Sequence, residues 1–120
     1  MKIAVPIDER GTDPAVASSF GRAAYYLVYD EKAEIQLLEN EASQSAGGAG
    51  IKAAQTVVDS GAEALLTPQC GQNAAKVLLA GGVKLHKTKP DLSVMGNIQA
   101  FLRGETEELY EIHAGFHRHK

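Results

Sequence analysis

The chain has 120 residues, a formal net charge of -3, one cysteine and no tryptophan. That length suits one domain and leaves little room for two. A net negative chain gives nucleic acid or an anionic membrane surface no field to follow, and a single cysteine excludes an internal disulfide framework.

Hydrophobic residues make up 44% of the chain and aromatics only 6%, so Ala, Val, Leu and Ile must fill the core. The amino-terminal segment turns polar at Asp8, before a signal-peptide apolar region forms. No apolar run approaches the roughly 20 residues that span a bilayer. Together with the lone thiol, this reads as a soluble, cytoplasmic protein.

Residues 3–7 alternate with β-branched side chains and exit into Asp8-Glu9-Arg10-Gly11, which predicts a first strand. Residues 8–19, broken by Gly11 and Pro14, read as a long loop, a length often associated with function. Residues 24–30 are rich in strand formers. After the tight Asp30-Glu31-Lys32 link, residues 34–39 alternate again, giving a β-hairpin. Residues 40–50 are small, polar and glycine-rich.

The period then changes. Ile51, Ala54, Val57 and Val58 fall at helical spacing up to a stop at Gly61. Residues 63–67 form a short apolar run ended by Pro68, a buried strand. Residues 71–80 recover helical spacing and stop at Gly81-Gly82, and residues 83–86 make another strand. Asp91 or Ser93 is placed to cap a last helix reaching Gly104. The order is β-β-β-α-β-α-β-α, a mixed sheet with helices on both faces.

In open α/β sheets, ligands gather beyond the carboxyl ends of parallel strands. There the loop after the first strand, the glycine-rich loop and residues 68–73 should converge. Helices starting near Gly50 and Gly71 would aim their amino ends at the same place, an arrangement suited to anions. Gly47, Gly48 and Gly50, lacking side chains, would let backbone amides approach a bulky ligand. Gly61, Gly81, Gly82 and Gly104 are explained as helix stops.

Cys70 lies between a strand end and a helix start, where the dipole would favour thiolate, the ligand that iron–sulfur chemistry uses most. The ordinary reading of a lone cysteine is a small buried hydrophobe. His113, His117 and His119 in the tail are a candidate divalent-metal set, against the alternative of a basic chain end. His86, at a strand end, is assigned a structural role.

Two other patterns fail. Gly48-Ala49-Gly50-Ile51-Lys52-Ala53 fits G-x-G-x-x-A, but no strand leads directly into it and no acid follows at the required distance. The β-β-β-α-β-α order is shared with nucleases of the ribonuclease H kind, for which Asp8 would be a first metal ligand. The later strands end in Thr67-Pro68 and His86-Lys87 rather than in carboxylates.

Phe20-Gly21-Arg22-Ala23, then Glu39-Asn40, then Gly47-Gly48-Ala49-Gly50, then Gly71-Gln72-Asn73-Ala74 occur in an order and spacing that resemble the dinitrogenase iron–molybdenum cofactor biosynthesis family, of NifX-type carriers and the carboxyl-terminal part of NifB. The resemblance covers residues 1–104 as one domain and leaves 105–120 as a short tail. It implies an α/β fold of the ribonuclease H-like motif, with a mixed five-stranded sheet. It further implies non-catalytic binding or carriage of an iron–molybdenum-type or iron–sulfur cluster, or its precursor.

Arg22, Gly47, Gly48, Gly50, Cys70, Gly71, Gln72 and Asn73 are then the cofactor-binding candidates, with Arg22 neutralising ligand charge. Many relatives carry histidine in the glycine-rich loop, where this chain has Ser45, Ala46 and Ala49; Cys70 offers a softer substitute donor. The implied partners are a cluster donor or acceptor protein, and a small α/β domain of this kind allows a homodimer. Two rival readings stand beside this one. The first is a metal-free binding or regulatory module for a phosphate-bearing small molecule, served by the same helix ends. The second is a nuclease or thiol-dependent enzyme, for which Cys70 has no identified histidine base, although His86 could approach it in space.

Overall fold

The computed structural model describes residues 1–32, 34–42 and 47–109. Six strands and three helices follow in the order β1 (Lys2–Ile7), β2 (Tyr25–Asp30), β3 (Gln36–Glu39), α1 (Ala49–Asp59), β4 (Ala64–Thr67), α2 (Gln72–Ala80), β5 (Lys84–Lys87), α3 (Val94–Leu102) and β6 (Glu107–Glu108). They form one sheet in the spatial order β3-β2-β1-β4-β5-β6. β1 pairs parallel with β4, and β4 with β5; β2 runs against both β1 and β3.

Alternation along the strands builds two cores. Ile3, Val5 and Ile7 of β1, with Leu27 and Leu66, face Val94 and Ile98 of α3. The opposite face carries Ala4, Tyr26, Val28 and Leu65, and packs against Ala53, Ala54 and Val57 of α1 and Ala74, Ala75 and Leu78 of α2. Small alanines let these two helices settle closely on the sheet. Each fully buried Val, Leu or Ile contributes about 1.5–3 kcal/mol by leaving water, so the two faces stabilise the sheet from both sides. All four residues of β4 are buried, which is why its sequence is a continuous apolar run without alternation.

The sheet has six strands where five were expected. Gly104, at φ +75°, turns the chain back after α3. Glu107 and Glu108 then pair antiparallel with Lys87 and His86 on the free edge of β5. Two glutamates have no strand propensity of their own. Tertiary contacts place them: His86 Nδ1 lies 2.9 Å from Thr106 Oγ1, and Leu109 N donates to Leu85 O at 3.0 Å. The His86 ring meets Phe101 edge-on at 4.8 Å, and desolvation lowers its pKa. Its position is therefore structural.

The helix starts differ in a way that matters for function. At α3, Ser93 Oγ accepts from Gly96 N at 3.3 Å and donates to Asp13 Oδ2 at 2.8 Å, while Asp13 Oδ1 accepts from Met95 N at 3.0 Å. Ser93, rather than Asp91, is the cap. The loop leading into α3 is held by the buried Asn97, whose carboxamide bonds backbone groups of Lys89, Leu92 and Ser93. At α1 and α2, glycine is the cap residue, no side-chain cap bond forms, and no acidic residue occupies the first turn.

Candidate functional site: a cradle between two helix ends

The uncapped ends of α1 and α2 meet at one cavity of about 320 Å³, lined by residues 20–21, 48–51 and 71–74. That volume lies at the lower end of the range of small-ligand sites. The first helical bond of α1 runs from Lys52 N to Gly48 O at 3.1 Å, and that of α2 from Ala75 N to Gly71 O at 2.9 Å. The amides ahead of these bonds, at residues 49–51 and 72–74, have no helical carbonyl to bond. All six residues line the cavity.

No charged side chain lines it. Its polarity comes from main-chain amides, from the Gln72 and Asn73 carboxamides, and from two helix dipoles, each worth about half a positive charge at its amino end. Such a wall donates hydrogen bonds and favours an anion.

Glycine makes the geometry. Gly48, at φ +70°, takes the left-handed turn that opens α1. A Cβ on Gly21 would stand 3.2 Å from the Gly50 Cα, and one on Gly50 would meet the Ala74 Cβ at 3.5 Å. The three walls touch through missing side chains.

The wall at residues 20–21 is held from behind. Tyr26 OH donates to Phe20 O, and the Phe20 ring packs 5.2 Å from the Tyr26 ring. Asn40 Nδ2 donates to Gly21 O at 2.9 Å and to Ala23 O at 2.8 Å, and contacts Tyr26 OH at 3.2 Å. Asn40 and Tyr26 are buried. Neither was singled out as a site residue by sequence reasoning. An asparagine directly after a strand otherwise reads as a turn former, and only the fold brings its amide to the preceding loop.

The sequence candidates divide. Gly48, Gly50, Gly71, Gln72 and Asn73 line the cavity. Gly47 is exposed just outside it, and Arg22 is exposed beside Gly21, its backbone N donating to Ser19 Oγ at 3.2 Å. His113, His117 and His119, like Ser45 and Ala46, lie outside the described residues.

Cys70 requires a correction. Its side chain is 1% exposed, belongs to the apolar cluster of Phe20 and Tyr26, and is not part of the cavity lining. Burial pushes its pKa up to about 11, so desolvation overrides the helix end that was expected to favour thiolate. Among the described residues, no three His, Cys, Asp or Glu side chains come together in a group able to hold a metal ion. Asp8, the carboxylate a nuclease site would begin with, instead accepts from Ala24 N at 3.3 Å.

Residues 1–104 match the sequence profile of the dinitrogenase iron-molybdenum cofactor family. The chain belongs to that family. Membership links this family protein to the biosynthesis or binding of the iron–molybdenum cofactor. Among solved structures, the apo form of the orange protein from Desulfovibrio gigas is 35% identical, with a TM-score of 0.85 over 91% of this chain and 92% of that one. The NMR structure of a Thermotoga protein provisionally called NifB is 32% identical, with a TM-score of 0.79 over 99% and 98% of the two chains. A third structure, at 23% identity and a TM-score of 0.69, shares the fold. No curated protein matches the sequence. Among the described residues of this family member, no helix is long and apolar enough to cross a membrane.

Proposed function

We propose that the protein is a non-catalytic cytoplasmic carrier or scaffold whose cargo is an anionic metal–sulfur cluster of the iron–molybdenum type, or a precursor of one. The observation that carries this reading is the convergence of six first-turn amides from two uncapped helices on one neutral, glycine-walled cavity.

The donor set fits such a cargo in a specific way. Amides and carboxamides bond sulfide or oxo groups on a cluster's surface but are poor partners for bare metal ions. The cargo would therefore arrive with its own sulfur or oxygen ligands and sit by hydrogen bonding. Cys70 supports the floor of the cradle in this reading and does not ligate. Arg22 and Lys52 flank lining residues in sequence and add positive charge to the neighbourhood. The strand order β3-β2-β1-β4-β5, with β2 reversed, supports assignment to the ribonuclease H-like motif. A donor or acceptor protein would be needed to load and unload the cradle, and a homodimer is compatible with it.

Anaerobic titration of the apo protein with tetrathiomolybdate, followed by desalting, tests the reading. Stoichiometric molybdenum and a visible chromophore retained with the protein are expected. Protein that emerges colourless, yet is thermally stabilised by nucleotides or sugar phosphates, would transfer the site to the phosphate-binding alternative, which the same helix ends serve.

A further inference from the structure

Asn40 is buried, and its carboxamide holds one wall of the cradle from behind. Through Nδ2 it holds the carbonyls of Gly21 and Ala23, at 2.9 and 2.8 Å, and contacts Tyr26 OH, which itself donates to Phe20 O. Through Oδ1 it accepts from Ala42 N at 3.1 Å, a local turn two residues on that fixes the orientation of the carboxamide. Its own N donates to Ala24 O at 3.0 Å. One side chain thus anchors the wall at residues 20–21 to the end of β3. That wall comes within van der Waals distance of the opposite one at Gly21 and Gly50.

We infer that Asn40 is a positioning residue that fixes the wall of the cradle at residues 20–21, without touching the ligand. This rests on the carrier reading for its ligand but not for its geometry. Only a carboxamide satisfies the site. Alanine leaves two carbonyls unmatched, and aspartate turns a negative oxygen toward them. Leucine offers no hydrogen-bonding group, and threonine has a single O–H donor where two carbonyls need one each. Tyr26 extends the same clasp to Phe20 by way of its hydroxyl.

The test compares Asn40→Ala with Asn97→Ala. Asn97 is an equally buried carboxamide that pins the loop before α3, outside the cavity lining. Tetrathiomolybdate affinity and thermal midpoint are measured on both, with Tyr26→Phe as the milder variant should Asn40→Ala fail to fold. Asn40→Ala is expected to weaken binding by at least about tenfold, the scale of a buried bond pair lost. Asn97→Ala should lower the midpoint while leaving affinity near wild type. Tyr26→Phe should lose several-fold. Affinity that follows the thermal midpoint equally in both asparagine variants, or that survives Asn40→Ala and Tyr26→Phe, overturns the assignment.

If the wild-type protein does not bind the thiometallate, the carrier reading fails, and amide exchange on the apo protein decides the clasp separately. Faster exchange at the bonded amides of residues 22, 24 and 52 in the Asn40 or Tyr26 variant, with β4 unchanged, supports it. Exchange there no faster than in Asn97→Ala overturns it.

Discussion

Gly21 and Gly50 stand so close that a Cβ on the first would lie 3.2 Å from the Cα of the second. Gly21 does not have a positive φ, so alanine there meets a purely steric objection. The obstacle is helix backbone, which cannot rotate aside as a side chain does. Gly21→Ala should destabilise the fold by about 1–2 kcal/mol, as small overpacking does, and should weaken thiometallate binding as the walls part. Urea denaturation with an unchanged m-value, run beside a binding titration, checks both. Wild-type behaviour in the two would contradict the close approach.

Gly81 presents a different packing limit. A Cβ there would stand 2.8 and 2.9 Å from the two γ carbons of Val58, a stiff β-branched side chain on the neighbouring helix. Gly81→Ala should cost about 1–3 kcal/mol. Val58→Ala in the same chain should restore much of it, giving a coupling energy of the opposite sign from the single loss. Additive effects in that double-mutant cycle would show that the contact is not the cause.

Cys70 makes stability depend on alkaline pH. Its folded pKa, pushed up to about 11 by burial, lies above the ordinary thiol value of 9.0. Below pH 9 both folded and unfolded forms hold the proton and the thiol is neutral in the balance. Above it the unfolded chain loses the proton first, so stability falls as pH rises from 9 to 11. Tyr26, also raised by burial, adds a fall in the same direction at higher pH. Cys70→Ala should flatten the first part of that decline in urea midpoints measured from pH 8 to 11. Native alkylation by iodoacetamide at pH 8 should also be slow until urea opens the core. Rapid native labelling would mean the thiol is exposed and ionised.

The cap of α3 is built from Ser93 and the distant Asp13. Ser93→Ala should cost about 1 kcal/mol. Asp13→Ala should cost a similar amount, because Met95 N loses a charged acceptor at the helix end. The pair should be less than additive, since each holds the other. Full additivity in chemical denaturation would separate them.

How much of this could be read from the chain depends on whether a signal is local. Alternation at Ile3, Val5 and Ile7, and helical spacing through Ala54 and Val57, are local and point correctly to β1 and α1. The convergence of Gly48, Gly50 and Gly71 follows from topology alone, because both helices leave the same end of the sheet. Four features were not legible. Glu107 and Glu108 are a strand only because β5 offers an edge. Cys70 sits beside a helix end, yet its environment is set by Phe20 and Tyr26, which come from far away in sequence. Gly81 looks like a helix stop, and does follow α2, but its φ is negative; the pressure on it comes from Val58. Asn40 belongs with these, since the partners of its Nδ2 lie 14 to 19 residues earlier.

The walls around the cavity are made largely of groups that every amino acid possesses. A pocket of that kind is insulated from most sequence drift: exchanging one outward residue for another leaves the peptide N–H in place. What must be guarded is emptiness at Gly21, where a Cβ would press on the Gly50 backbone, and at Gly48, whose φ of +70° strains any side chain. Divergent relatives could therefore keep the same cavity while agreeing on few side chains, and the surest mark of kinship would be where nothing protrudes.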